Sequence, residues 1–405
     1  MISQLDKIEK ALADLQAAKT FKYETLLESA QGARVKVDGR EVIMLASNNY
    51  LGLASHPKIR EAAIQGIREY GFGMSSVRFI CGTQVLHRRL EEKVAAFCGT
   101  EDALLYLSCF SANEGFFAGL LADKLGYDSY KDVIYSDRLN HASIIDGNRL
   151  TKAETTDRKI YGHGEAEDLA RQLEADKSQP YRFRVVATDG VFSMEGDLAP
   201  LPRLVELCNK YQALLMVDDS HAMGVIGKTG KGTAEELGVW GKVDVLTGTL
   251  GKALGGAAGG FIASKKSLIE FLRQNSRPYI FSNSLPPPIL SASLEAFSIL
   301  ESDHSLVKKL HSNTAYFRRE IVNLGFKILH GTHPIVPVML GEAALAQDAS
   351  AELLKEGVYV KGLWFPVVPK GEARLRVQIS AALEQRDLDE ALEAFKKVGK
   401  KLKII

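Results

Sequence analysis

The sequence predicts an α/β protein, with a mostly parallel central sheet followed by a smaller C-terminal α+β domain. Three observations lead there. From about residue 90 to 265, short β-rich runs alternate with helical stretches, the order that βαβ units impose. Several of those runs are apolar on successive residues, which suits strands covered by helices on both faces. Beyond the three prolines at 286–288 the pattern changes to long helices mixed with a strictly alternating strand.

At the start of the chain, Ile2, Leu5, Ile8, Leu12 and Leu15 fall at helical spacing. They predict an amphipathic helix that docks on something larger, this chain or another. Residues 1–50 are read as that helix and an arm, 51–288 as the large α/β domain and 289–405 as the small domain. The expected strands of the large domain are ALLYL at 103–107, DVIYS at 132–136, RFRVVAT at 182–188, ALLMV at 213–217 and DVLTG at 244–248. Polar residues follow these runs at their C-terminal ends, where open α/β sheets bind ligands. In the small domain SLVKKLHSNTAYFRREIVNLG reads as one helix stopped by Gly325, and ARLRVQIS at 373–380 as a half-buried strand.

Composition excludes several classes. Apolar residues make up 46% and charged residues 25%, the balance of a soluble globular protein with a substantial core. Lys and Arg total 51 against 50 Asp and Glu, so a net charge of +1 offers no global field to nucleic acid or an anionic membrane. Asp6, Lys7, Glu9 and Lys10 stand where a secretory signal needs its apolar centre, and no apolar run reaches membrane-spanning length. Cys81, Cys98, Cys109 and Cys208 form neither a CxxC pair nor a dense disulfide framework, and none has metal-ligand spacing. A cytoplasmic protein with free thiols and no metal is expected.

The densest chemistry lies in TGTLGKALGGAAGG at 247–260. Its glycines suggest a phosphate loop, but Leu246 occupies the first glycine position of GxxxxGK[ST] and Ala253 follows Lys252. GFGMSS at 71–76 likewise puts Ser76 at the third glycine of the dinucleotide pattern. What remains is a lysine at an apolar, glycine-lined strand end, where desolvation favours the neutral amine that Schiff-base chemistry requires. A lysine snorkelling from a surface loop is the bland alternative. DDSH at 218–221 follows the ALLMV run. An aspartate there can keep a pyridine nitrogen protonated and strengthen the ring as an electron sink, with His221 within reach of a phenolic oxygen. A turn capped by acidic residues, or a metal site of two carboxylates and an imidazole, fits the same residues. His141 in NHASIIDG can lie over an aromatic cofactor or be a hydrogen-bonded structural histidine. Ser193 in TDGVFSMEGD follows a third strand, and LSCFSANEG can present backbone N–H groups to a phosphate at a helix start. A lone loop serine usually just makes a turn, and a conventional helix cap is the alternative for LSCFSANEG.

As a set, the blocks SNNYLGLASHP, GFGMSSVRFICGTQ, NHASIIDG, ATDGVFSM, VDDSHAMG, TGTLGKALGGAAGG, RPYIFSNSLPP and VVPKGEARLRVQISAA resemble the α-oxoamine synthase family of fold-type-I pyridoxal-phosphate (PLP) transferases. The resemblance runs from about Phe21 to the C-terminus. It implies that Lys252 carries the cofactor, Asp218 faces its pyridine nitrogen, His141 stacks on the ring, and Ser193 and His221 reach the phenolic oxygen. It implies too that the Cys109 and Phe110 backbone and Thr249 lie near the phosphate, and that Ser282 and Asn283 come from the second subunit of a homodimer with shared active sites. Asn48 and Arg376 match positions that hold an amino-acid carboxylate, an anion suited to the guanidinium fork. Alone they read as a turn asparagine and a solvent-facing arginine. GFGMSSVRFICGTQ and SCFSAN resemble the acetyl-transferring branch most, which implies condensation of glycine with acetyl-CoA to 2-amino-3-ketobutyrate and CoA, and the reverse cleavage. The alternatives are decarboxylating members of the family with other substrates, a non-catalytic PLP-binding regulator, and a metal-dependent hydrolase built on Asp218, Asp219 and His221. One segment departs from the family's compact pattern: LLADKLGYDSYKDVIYSD at 120–137 is several residues longer and, entering just before His141, is placed to alter acyl-CoA access.

Overall fold

The computed structural model describes residues 4–18, 20–122, 125–127 and 129–405. In chain order its strands are β1 (Arg34–Val37), β2 (Arg40–Met44), β3 (Asp102–Tyr106), β4 (Asp132–Asp137), β5 (Thr156–Tyr161), β6 (Arg184–Asp189), β7 (Leu214–Asp218), β8 (Val245–Thr249), β9 (Gly260–Ser264), β10 (Ile335–Gly341), β11 (Val358–Tyr359), β12 (Lys361–Leu363) and β13 (Ala373–Gln378).

β3 to β9 build one seven-stranded sheet in the order β3-β9-β8-β7-β6-β4-β5. Its pairs from β8 through to β5 are parallel, while β9 runs antiparallel to both β8 and β3. The mostly parallel sheet is therefore present, with one reversed strand. Successive residues serve opposite faces, as strand geometry requires. Leu104, Ile134, Val185, Met216 and Ile262 pack on one side with Phe116 and Phe117. Leu105, Tyr135, Val186, Leu215 and Phe261 pack on the other. With both faces covered, the strands can be apolar throughout, and that is what made five of them legible. The two missed strands gave weaker signals. β5 is an edge strand buried only at its two ends, with half-buried and exposed positions alternating between them, and β9 follows the glycine run so closely that it reads as part of the loop.

The helices obey local rules. Pro57–Tyr70 begins with its proline in the first turn, and the His56 side chain accepts the Lys58 N–H at 3.3 Å. Pro287–Ser302 also opens on prolines and packs against Pro57–Tyr70, so the division expected at residue 288 falls at the start of a helix seated on the larger body. Ser305–Asn323 ends as expected: Leu324 is its C-cap and Gly325 takes a φ of 102°.

The C-terminal region contains an antiparallel sheet, β10-β13-β12, and β11 pairs with β2 in a second small sheet with β1. β13 was expected to be half buried, yet only Arg376 among its residues is more than marginally accessible. The reason is its central position between β10 and β12. Arg374 and Arg376 face the large sheet's loops, with Arg374 fully buried against Glu195 and Glu372.

The N-terminal helix spans Gln4–Ala17 and buries none of its residues; Leu5, Ile8, Leu12 and Leu15 all stay exposed. Ile2 lies outside the described residues, as do Asp123, Lys124 and Asp128 of the longer loop. That loop does not enter beside His141. The six residues of β4, roughly 20 Å of strand, separate the two. Leu125 of the loop instead shares a hollow with Phe183, Leu214 and Asp244 at the opposite ends of the strands, and the Arg182 guanidinium lies 3.7 Å from the Tyr130 ring centroid.

Candidate active site

A cavity of about 220 Å³ opens at the C-terminal ends of β3, β4, β6, β7 and β8. Its wall holds Cys109, Phe110, His141, Ser193, Asp218, His221, Thr249 and Lys252, all expected from the sequence, together with Ser108, Ser143, Asp189, Val191 and Ser220. Each arrives because a strand stops there. β7 ends in Asp218, and β8 runs through Thr249 towards Lys252. A short turn after β4 delivers His141, which caps the helix Ala142–Arg149 by accepting the Ser143 N–H at 3.2 Å on Nδ1. β3 leads to Ser108, the cap of the helix Cys109–Leu120. The Ser108 hydroxyl accepts the Ser111 N–H and its carbonyl the Ala112 N–H, each at 3.1 Å. The N–H groups of Cys109 and Phe110 remain for an anion at the positive end of the helix. β9 crosses this helix start so closely that a Cβ on Gly260 would lie 2.2 Å from the Cys109 nitrogen, which leaves no room for any other residue.

Asp218 sits in a net of donors. Its Oδ2 accepts Asn113 Nδ2 at 2.6 Å and the Cys109 thiol at 3.6 Å, and its Oδ1 accepts the Ser220 N–H at 3.0 Å. Asn113 Nδ2 also donates to Ser143 Oγ at 2.8 Å, and Ser143 Oγ lies 2.7 Å from His141 Nδ1. With the Asn113 proton accepted, the Ser143 hydroxyl donates to Nδ1 and the His141 proton belongs on Nε2. The histidine and the aspartate are thus joined through two side chains.

Burial sets the electrostatics. It pushes the Lys252 ammonium below its ordinary range, with Asp218 pulling the other way. It lowers His141 against the same charge, and takes His221 far down with added repulsion from Lys252 and Arg376. Both imidazoles are neutral near pH 7. Buried Asp189, also repelled by Asp218, is raised well above the carboxylate range, and its Oδ2 accepts the His141 N–H at 3.0 Å. His221 Nδ1 lies 2.9 Å from the Tyr50 hydroxyl, leaving Nε2 as the ring atom available to a ligand. His333 supports it from behind. Its Nδ1 accepts the Ile335 N–H at 3.0 Å, so Nε2 carries the proton and donates to the His221 carbonyl at 2.8 Å.

A second cluster adjoins the cavity. Arg376 donates from Nε to the Ser193 carbonyl at 2.6 Å and from Nη1 to Gln378 Oε1 at 2.8 Å, and Gln378 Nε2 donates to Asn48 Oδ1 at 2.7 Å. Its Nη2 is buried without a partner among the described residues. Asn48 and Arg376 are therefore linked, with one guanidinium nitrogen left over. Arg376 is not solvent-facing, and burial lowers its affinity for its proton.

Ser282 and Asn283 do not line the cavity. Asn283 bridges to Val77 and borders a separate crevice with Arg78 and Tyr279. The metal reading of DDSH fails on geometry: the Asp219 carboxylate is occupied by the Thr233 N–H at 2.9 Å and by the Thr233 hydroxyl, while Asp218 and His221 face other partners. Sequence reasoning missed Tyr50, Asn113, Ser143, Asp189, His333 and Gln378. Asn113 had a signal, since it lies one helical turn after Cys109. Tyr50 and His333 had none, because they reach His221 only through the fold. A larger hollow of about 530 Å³, between residues 21–25 and the helix Ala343–Lys355, holds none of the expected site residues.

The chain belongs to the aminotransferase class I and II family, whose profile matches residues 40–395. Its likeness within that family is to the α-oxoamine synthases, as the sequence blocks implied. The 2-amino-3-ketobutyrate coenzyme A ligase of Escherichia coli (strain K12) is 49% identical over 396 residues, 97% of each chain. The 8-amino-7-oxononanoate synthase of Thermoanaerobacter pseudethanolicus is 46% identical over 404 residues, covering 100% of this chain and 99% of that one. A serine palmitoyltransferase structure from S. paucimobilis, with bound PLP-myriocin aldimine, matches with a TM-score of 0.90 at 28% identity across the whole of both chains. The expected fold-type-I transferase architecture is the one observed.

Proposed function

We propose that this chain is a PLP-dependent acyltransferase that condenses glycine with acetyl-CoA to give 2-amino-3-ketobutyrate and CoA, and cleaves that keto acid with CoA in reverse. The observation that carries the reading is the meeting of Lys252 and Asp218 at one cavity, with Arg376, bonded to the Ser193 carbonyl beside it, keeping one nitrogen without a partner among the described residues, in a chain 49% identical to a ligase of that name.

The residues fit the cofactor. A buried amine, a hydrogen-bonded carboxylate at the end of the adjacent strand, and N–H groups at a helix start match an aldehyde, a pyridine nitrogen and a phosphate. When bound, PLP supplies an electron sink for the charge left at the glycine α-carbon. Lys252 would be the covalent anchor and, once the incoming glycine amine has displaced it, the base that takes the α-proton, a role that needs the neutral amine burial favours. Asp218 holds the proton on the pyridine nitrogen, and the Asn113 and Cys109 donors keep its carboxylate aimed. His141, on the cavity wall, would stack on the ring face. Ser193 and His221 serve the phenolic oxygen, and Cys109, Phe110 and Thr249 serve the phosphate. Arg376, through its spare nitrogen, and Asn48 take the glycine carboxylate.

Ser282 and Asn283 complete the phosphate site from a second copy of the chain. This homodimer is supported by the exposed Phe72, Phe79, Ile80 and Phe281, which flank the Val77–Asn283 bridge. We assign the protein to the cytoplasm, a reading supported by four free cysteines.

The relative named as 8-amino-7-oxononanoate synthase favours a second reading, a longer acyl chain condensed with loss of carbon dioxide. The test is a matrix of glycine, alanine and serine against acetyl-, succinyl-, pimeloyl- and palmitoyl-CoA, with rapid trapping of product. Glycine with acetyl-CoA is expected to give the highest kcat/KM with the carboxylate retained. Preference for pimeloyl-CoA, or carbon dioxide released in step with CoA, moves the assignment to the second reading.

A further inference from the structure

The segment TDGVFSMEGD forms a turn closed by the Val191–Leu198 bridge, and it delivers Ser193 to the cavity. Two sets of contacts hold that turn. At its tip, Arg376 Nε donates to the Ser193 carbonyl at 2.6 Å, and Arg374 Nη1 donates to the Met194 carbonyl at 3.1 Å and to Glu195 Oε1 at 3.2 Å. At its base stands His163, from the loop after β5. His163 Nδ1 lies 3.1 Å from Asp137 Oδ1 at the end of β4, and its Nε2 lies 2.9 Å from Asp197 Oδ2 in the turn. Its ring meets Phe192 edge-on, with centroids 4.3 Å apart.

Each ring nitrogen faces a carboxylate oxygen, which can only accept, so both contacts are hydrogen bonds only when both nitrogens carry protons. The surroundings favour that form. Burial alone would lower the His163 pKa, but hydrogen bonds to Asp137 and Asp197, and their charges, push it up to about 10. The other charged groups nearby are Glu195, which adds a third acid, and Arg374, which pairs with Glu195 from the small domain. Asp137 is itself fixed, accepting the Leu139 and Gly164 N–H groups at 2.9 Å each. One end of the clamp is therefore anchored to the sheet and the other to the Ser193 turn, where the Phe192 N–H also bonds the Asp197 carbonyl at 3.1 Å.

We propose that His163 is a positioning residue: clamped between Asp137 and Asp197, it fixes the 191–198 turn so that Ser193 meets the cofactor's phenolic oxygen and the Ser193 carbonyl sets Arg376 for the amino-acid carboxylate. The proposal rests on the reading that Ser193 contacts the cofactor. His163 touches neither cofactor nor substrate, so its effect must pass through Ser193 and Arg376.

The test uses the holoenzyme and the variants His163→Ala, Ser193→Ala, their double and Asp197→Asn. Two quantities are read: the pH midpoint of the cofactor's visible absorption band, and the KM for glycine. Loss of one hydrogen bond to the phenolic oxygen shifts the midpoint by about half a unit or more. His163→Ala and Ser193→Ala are expected to shift it in the same direction, and the double variant no further than Ser193→Ala alone. The glycine KM should rise in His163→Ala, and Asp197→Asn should move both readouts the same way by less. A His163→Ala shift that adds in full to that of Ser193→Ala overturns the proposal. So does a His163→Ala variant that melts earlier but keeps both parental readouts. Should His163→Ala fail to fold, Asp197→Asn, whose side chain is 43% exposed, carries the same comparison with Ser193→Ala. An unshifted band in Ser193→Ala removes Ser193 from the cofactor, and the clamp's stated role with it.

Discussion

Lys252→Ala removes an amine without asking the backbone for a new conformation. The expected outcome is loss of the borohydride-reducible lysine adduct with the fold retained, checked by peptide mass spectrometry and circular dichroism; a variant that keeps the parent's adduct, on a lysine outside the 249–256 segment, would exclude Lys252 as the anchor. Asp218→Asn turns one of two accepting oxygens into a donor facing the Asn113 amide and the Cys109 thiol. It should bind cofactor yet lose turnover by about 100-fold or more, the scale on which a misplaced proton acts, as steady-state kinetics will show. Arg376→Lys replaces a fork that serves Ser193 and Gln378, and in the proposed site the glycine carboxylate too, with a point charge. The glycine KM should rise about tenfold or more, on the scale of one charge-assisted hydrogen bond. At this scale the sequence was most informative. Lys252, Asp218 and His141 stand in distinctive local motifs and could be picked from their strand ends, and all three line one cavity. Residues that orient them, such as Asn113 and His333, are ordinary side chains whose partners lie far away in the chain.

Among the elements, β9 decides the most. It is short, it follows a glycine run, and it reverses the sheet's direction, so nothing in its five residues GFIAS announces that it lies against a helix start. Gly260→Ala places a Cβ in the Cys109 backbone. Either β9 or the helix Cys109–Leu120 must move, at a cost of about 1–3 kcal/mol in stability. Cofactor affinity should fall with it, and spectral titration alongside thermal unfolding checks both; parental values of each would mean that the close approach does not constrain the site. β13 was legible as a strand and misread in exposure. Alternation reports period, and a central strand can carry arginines inward when carboxylates and carbonyls meet them, as Glu195, Glu372 and the Ser193 carbonyl do here.

For the whole molecule, two measurements bear on how its parts are held. His163 has an ordinary pKa of 6.5 and a folded value of about 10. A raised folded pKa stabilises fully below the unfolded value and loses that contribution as pH rises through the folded one. The parent should therefore lose more of its melting temperature between about pH 6.5 and about pH 10 than His163→Gln does, and equal losses would show that His163 contributes no such charge. In the proposed homodimer, Phe79→Glu with Ile80→Lys puts charges on the exposed patch. Sedimentation should then find monomer, with weakened cofactor retention. The parallel sheet was readable from its apolar runs, but the pairing order was not, because the reversed strand carries no signal of its direction. That order also governs when the site comes into being. β3 is an edge strand whose neighbour in the sheet is β9, and β9 leaves the ribosome roughly 160 residues later. At about 5–20 residues per second this is a wait of roughly 10–30 seconds. Until Gly260 emerges, the N–H groups of Cys109 and Phe110 have no strand behind them, and Lys252 has no return path to the sheet. A growing chain can capture its cofactor only well past its midpoint, and the proposed carboxylate pocket, which waits for Arg376, forms later still.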